Sequence, residues 1–135
     1  MTTANVKYDG NLRTVCTHLK SGREIITDAP VDNNGNGDAF SPTDLTATSL
    51  ASCMITVMGI AARQRDIEFS GARAEVTKVM LSDPRRIGKI QIVMKIPDHG
   101  YTDKTREILK NTARTCPVAK SLHPEIEVDL SFVFD

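Results

Sequence analysis

SPTDLTATSLASCMITVMGIAARQRDIEF, residues 41–69, is the stretch whose reading decides the fold. Ser41 is a good helix N-cap, and Pro42 has the fixed φ that suits a first helical position. Asp44 follows three residues after the cap, as in a shortened capping box, and its charge complements a helix start. From Leu45 to Ala62 there is no proline, no charge and one glycine. Soluble helices usually set an apolar stripe against a charged face. This one carries Leu45, Leu50, Met54, Ile55, Val57, Met58 and Ile60 nearly all round. Its polar positions are small, and Thr48, Ser52 and Thr56 recur at a spacing of four. Such a helix is expected to be buried on every side and to reach water only from Arg63 to Asp66. Cys53 lies in its middle. A membrane span competes for the same stretch, but about 18 uncharged residues is a marginal length. Thr, Ser and Gly interrupt the run and no aromatic belt flanks it. Residues 1–10 lack the apolar segment of a signal peptide.

Upstream, Val6 to Tyr8 reads as extended, Asp9-Gly10 as a turn, and Leu12 to Leu19 as a strand. Lys20-Ser21-Gly22 looks like a hairpin turn, with Arg23 to Thr27 returning as a third strand. DAPVDNNGNGDAF, residues 28–40, is loop by composition. It has neither lysine nor a GxxxxGKS pattern, so it reads as a connection rather than a phosphate cradle. Downstream, Ala72, Ala74 and Val76 alternate with Arg73, Glu75 and Thr77, and Ile90, Ile92, Met94 and Ile96 alternate with polar neighbours after a turn begun by Ser82-Asp83-Pro84. Thr102 can cap a helix from Asp103 to about Arg114, with Ile108, Leu109 and Ala113 inward. Cys116-Pro117 reads as the cap and first position of a short helix to Leu122. Glu125 to Phe134 closes the chain as a strand. The order βββ–α–ββ–α–α–β defines an α+β fold in which antiparallel sheet packs on a long central helix. Residues 1–135 are expected to form one domain.

Composition removes several function classes. Seventeen basic and seventeen acidic residues cancel, which gives no electrostatic footprint for nucleic acid or an anionic membrane. Three widely spaced cysteines, an odd number, argue against a secreted disulfide framework and for a reducing, cytoplasmic setting. No Cys/His spacing suits a metal, and no bound cofactor is expected. His18, His99 and His123 read as surface or loop residues.

Position alone leaves the cysteines open between packing and chemistry. A buried cysteine in a helix usually acts as a small hydrophobe, which is the plain reading of Cys53. Cys116, at a predicted helix N-terminus, is either a simple cap or a thiol whose ionised form the helix start favours. Cys16 lies in a strand with no supporting signal.

Two segments carry more information together. SPTDLTATSLASC resembles the helix bearing the first cysteine of the OsmC/Ohr family, the osmotically inducible protein C and organic hydroperoxide resistance proteins. ARTCPVAKSLHPEIEV resembles that family's second cysteine segment, where Cys-Pro opens a short helix before the last strand. The order of elements between them also matches. The resemblance implies an intertwined homodimer with the OsmC-like fold that reduces organic hydroperoxides in oxidative-stress defence. It implies that Cys53 attacks the peroxide, that Cys116 resolves the product as a disulfide, and that an external thiol, in some members a lipoyl dithiol, reduces that bond. The family also uses an arginine from the first strands, which would lower the thiol pKa and bind peroxide oxygens, with a glutamate near the start of the central helix. Arg13 is the best match for the arginine and Arg23 the alternative. The glutamate position, ten residues before the cysteine, holds Thr43, and the nearest acid is Asp44. That departure keeps two other readings in view: a non-catalytic dimer binding a small ligand, and a general thiol–disulfide oxidoreductase.

Overall fold

A computed structural model describes all of residues 1–135. Tertiary contacts divide the chain into two compact units, Met1–Thr46 and Ala47–Asp135, and the boundary falls inside the long helix.

The first unit is a three-stranded antiparallel sheet in the order β1-β2-β3, with β1 Ala4–Gly10, β2 Arg13–His18 and β3 Glu24–Asp28. The first strand is longer than its three-residue apolar signature, because β2 pairs it from Ala4↔His18 to Gly10↔Arg13. The β2–β3 turn closes through the His18 amide on Arg23 O and the Gly22 amide on His18 O, both at 2.8 Å. Its position sets the register that makes Arg13 and Asp28 cross-strand partners. Residues 29–40 form the expected connection around a single 3-10 turn, Val31–Asn33. Gly35 is required there: a Cβ would lie 1.7 Å from the Ala29 carbonyl oxygen. The long helix α1, Pro42–Gln64, then starts on a reciprocal capping box. Ser41 Oγ accepts from the Asp44 amide and Asp44 Oδ2 accepts from the Ser41 amide, each at 3.0 Å.

The second unit holds the remainder of α1, then β4 Arg73–Leu81, β5 Arg86–Ile96, α2 Asp103–Ala113, α3 Pro117–Ser121 and β6 Glu127–Phe134. Its sheet runs β4-β5-β6, with β5 central. Alternation in β5 does what it promised: Ile90, Ile92, Met94 and Ile96 are all 0% exposed and meet Leu50, Met54 and Met58 of α1 in one core cluster. Leu109 and Ala113 of α2 complete that cluster. Thr102 caps α2 by accepting from the Thr105 amide at 3.1 Å. The antiparallel reading holds for β1–β2, β2–β3 and β4–β5, and the last pair corrects it, since β6 lies parallel to β5. The reason is the intervening chain. Parallel neighbours need a long crossover, and α2 with α3 supplies one.

The helix corrects a second expectation. Only one side of α1 is buried, through Ala47, Leu50, Ala51, Met54, Met58, Ala61 and Ala62. Ser52, Thr56 and Ile60 form an exposed row, with Ile60 at 53%. Within the second unit the β4-β5-β6 sheet covers one side of this helix. The hydroxyls of the exposed row cost little, because Thr56 Oγ1 donates to Ser52 O at 2.8 Å within the helix. Apolar side chains stand uncovered in the first unit as well: Val6, Tyr8, Ile25, Val31 and Phe40 are each exposed.

Candidate functional site

Cys53 and Cys116 meet in the second unit. Helix α1 brings Cys53 to the margin of the core, half-buried beside Met54. The Cys-Pro pair brings the other. Pro117 cannot continue α2, so the chain breaks and restarts, and Cys116 becomes the N-cap of α3 with extended backbone. Its Sγ accepts from the Ala119 amide at 3.4 Å, and the residue is 0% exposed. Cys53 is one of the groups that raise the Cys116 thiol, so two residues far apart in sequence act on each other electrostatically, with no disulfide between them.

The electrostatics of Cys116 differ from what a helix start implies. Its thiol is pushed up, first by burial, while its hydrogen bond to and charge interaction with Cys53 add to the rise. The amides of Ala119 and Val118 pull the other way and do not prevail. The helix has only five residues, so its dipole is short, and desolvation wins. Cys116 therefore holds its proton more tightly than a free thiol does.

In the first unit the structure assigns a partner to Arg13. Its Nε donates to Asp28 Oδ1 at 2.7 Å and its Nη2 to Asp28 Oδ2 at 2.8 Å, a two-pronged ion pair. The bond to Arg13 is the first cause holding the Asp28 carboxyl below its ordinary range, and the Asp38 amide, donating to Oδ2 at 3.0 Å, adds to it. Sequence reading passed over Asp28 as the first residue of a loop. The available signal was the hairpin turn, whose register places it opposite Arg13. Arg23 is exposed in the turn and its side chain makes no ion pair. Asp44 spends an oxygen on the helix cap, the structural role open to it from the sequence. Thr43 Oγ1 lies 3.3 Å from Ser41 Oγ in the same cap. Cys16, on β2, contacts Thr14 Oγ1 at 3.7 Å and belongs to the first unit, whereas Cys53 and Cys116 belong to the second. His18, His99 and His123 are all exposed, as expected.

Two hollows mark the units. An open groove of about 510 Å³ in the first is lined by Ile25, Ile26, Ala39 and Phe40 with Asp38 and Asp44. One of about 330 Å³ in the second opens beside Ser52, Ile55 and Thr56 against Ala74 and Val76.

An α+β chain with a thiol held in the core by a Cys-Pro cap and a second, half-buried thiol on the central helix is the class of protein that the fold defines. The family profile described as OsmC-like protein matches residues 35–131, and the chain belongs to that family. A crystal structure from Psychrobacter arcticus, of a protein described as osmotic stress induced and of the detoxification response, is 56% identical over 98% of this chain and 96% of that one, with a TM-score of 0.94. An organic hydroperoxide resistance protein OsmC from Legionella pneumophila superposes with a TM-score of 0.71 at 19% identity, over 98% of this chain and 97% of that one. One from Elizabethkingia anophelis gives 0.76 at 17% identity over 100% and 98%. These two share the fold. Comparison with curated proteins finds no significant match.

Proposed function

We propose that this protein is a cysteine-based peroxidase of oxidative-stress defence that reduces organic hydroperoxides, with Cys53 attacking and Cys116 resolving. The observation that carries the reading is that the half-buried Cys53 of the central helix acts on the thiol of the buried Cys116 at the Cys-Pro cap. Membership of the OsmC-like family and the stress and detoxification role described for the 56% identical relative support it.

The chemistry follows from the pair. The thiolate sulfur of Cys53 attacks one peroxide oxygen, the O–O bond breaks, and its electron pair leaves with the other oxygen, which takes a proton and departs as an alcohol. Cys53 is now a sulfenic acid. The Cys116 sulfur attacks the Cys53 sulfur, water leaves, and a disulfide joins them. An external dithiol, of which a lipoyl group is one kind, returns two electrons and two protons and becomes a disulfide itself. Arg13 rather than Arg23 is the cation assigned to the peroxide oxygens, since a buried carboxylate fixes it. The exposed Ser52–Thr56–Ile60 row and the uncovered apolar residues of the first unit support a homodimer as the working form. A reducing compartment, the cytoplasm, suits three unpaired cysteines.

One equivalent of cumene hydroperoxide, followed by peptide mapping, tests the reading. Wild type should yield a Cys53–Cys116 bond, Cys116→Ser should stop at sulfenic acid, Cys53→Ser should stay unreacted, and Cys16→Ser should match wild type. Hydrogen peroxide should act more slowly. A bond that includes Cys16, or no bond at all, refutes it.

A further inference from the structure

We propose that Arg114 and Lys120, two cations without carboxylate partners on either side of Cys116, make this protein select an anionic thiol as its reductant. The inference rests on the peroxidase reading above and deepens it by naming the charge class of the external thiol.

The chain as a whole is neutral, yet its charge is spread unevenly. From Lys110 to Ser121 it carries three basic residues and no acidic one, and Cys116 lies within that run. Farther up α2 the cations are neutralised. Arg106 donates to Asp98 Oδ2 at 2.7 Å, and Lys110 lies 3.7 Å from Glu107 Oε1. Toward the cysteine this pairing stops. Arg114 reaches only a neutral oxygen, Asn111 Oδ1 at 3.5 Å, and the Lys120 ammonium has no partner.

The features that place the thiol also place the two charges. Arg114 is the C-cap of α2, its guanidinium 5.7 Å from the centre of the Phe132 ring, and Phe132 packs on the core cluster that holds Cys116. Lys120 stands one turn beyond the cap in α3, where its amide donates to Cys116 O at 3.4 Å. Arg114, Thr115, Pro117 and Lys120 are all exposed, so the buried thiol lies beneath open chain bordered by two unneutralised cations. A helix C-terminus favours a cation, which accounts for the positions of both. The lack of any acid between Lys110 and Ser121 leaves their field directed outward, at whatever approaches the cysteine.

That field acts on the reductive half of the cycle. A thiolate sulfur attacks the Cys53 sulfur, the more accessible of the two, the S–S bond breaks, and its electron pair leaves on the Cys116 sulfur, which takes up a proton. A second thiol displaces Cys53, which is protonated in turn, and the two reductant sulfurs end joined as a disulfide. Two electrons and two protons have passed to the protein. A reductant with a further anionic group is drawn to this surface and held there more often than a neutral one, and a cationic reductant is repelled.

The test uses full-length wild type and two double variants, Arg114→Gln with Lys120→Gln and Arg114→Glu with Lys120→Glu. Each is oxidised with one equivalent of cumene hydroperoxide, and the return of the Cys53 and Cys116 thiols is timed with 2-mercaptoethanesulfonate, 2-mercaptoethanol and cysteamine, which share one scaffold and are anionic, neutral and cationic. Rates are taken relative to the neutral thiol in the same protein, so that thiol acidity and any general structural loss cancel between proteins. Charge reversal should lower the sulfonate-to-neutral ratio by about 5- to 20-fold at low salt and raise the amine-to-neutral ratio, with the glutamine variant between. Added sodium chloride should lower the sulfonate ratio in wild type and raise it in the reversed variant. Ratios that neither substitution nor salt moves overturn the inference alone, as does a loss shared equally by all three thiols. A wild type that forms no disulfide with the hydroperoxide overturns the peroxidase reading and this inference with it.

Discussion

Burial of Cys116 makes folding depend on pH in a way that one substitution can isolate. The thiol's ordinary value is 9.0, and in the folded chain it is raised, first by burial. Below about pH 8 both folded and unfolded chains hold the proton, and Cys116 contributes no pH dependence. Above the ordinary value the unfolded chain releases it while the folded chain keeps it. Unfolding is then coupled to proton loss, so stability falls as pH rises. The slope attributable to this one group approaches ~1.4 kcal/mol per pH unit and ends where the folded thiol itself ionises. In Cys116→Ser the hydroxyl does not titrate in this range. Serine can take over the cap on the Ala119 amide, so the variant should lose only about 1 kcal/mol at pH 7. Urea unfolding of both proteins in excess reductant, at intervals from pH 7 to 10, gives the two curves. Lysine and tyrosine titrate alike in both and cancel in the difference. Wild type should lose its advantage above its ordinary thiol value, and the two curves should converge. Curves that stay parallel throughout would refute the claim that the fold withholds this proton.

Other expectations follow from single contacts. Ile92→Ala, at the centre of β5 with 0% exposure, should cost about 3 kcal/mol in urea unfolding, the scale of an unrelaxed core cavity. Ser41→Ala removes one half of the capping box and should cost ~1 kcal/mol by the same measurement. Gly35→Ala forces a Cβ against the Ala29 carbonyl, so limited proteolysis should cut residues 29–40 faster than in wild type. Ile60→Glu puts a charge in the exposed row of α1, and sedimentation equilibrium should show it monomeric where wild type is dimeric. A stable monomer for wild type would remove the dimer proposal.

Much of the fold was legible because its signals are local. Period-two alternation in β5, the Ser41–Asp44 cap, the Thr102 cap and the Cys116-Pro117 break each need only a few neighbouring residues, and each element formed where they indicated. Direction of pairing is not local. Nothing in Glu127–Phe134 says whether it runs with or against β5, and that follows from the length of the crossover. Burial of α1 was overstated for a related reason. An apolar helix face records that something covers it, not whether the cover belongs to the same chain. At the candidate site the two cysteine positions were readable as elements and their meeting was not, since spacing along the chain says nothing of distance in space. Asp28 was missed because its importance lies in a cross-strand partner fifteen residues away.

The parallel strand has a bearing on how this protein survives outside its native state. Until β6 is in place, β5 has a bare edge, and it is the most deeply buried strand of the molecule. An unpaired edge bearing Ile90, Ile92, Met94 and Ile96 is a template for other chains. The segment that shields it comes last and can dock only after the two-helix crossover has closed a long loop, which is entropically slow. The last strand thus serves as a guard against self-association. A chain shortened before Glu127 should aggregate rather than merely lose stability, which light scattering on refolding would reveal.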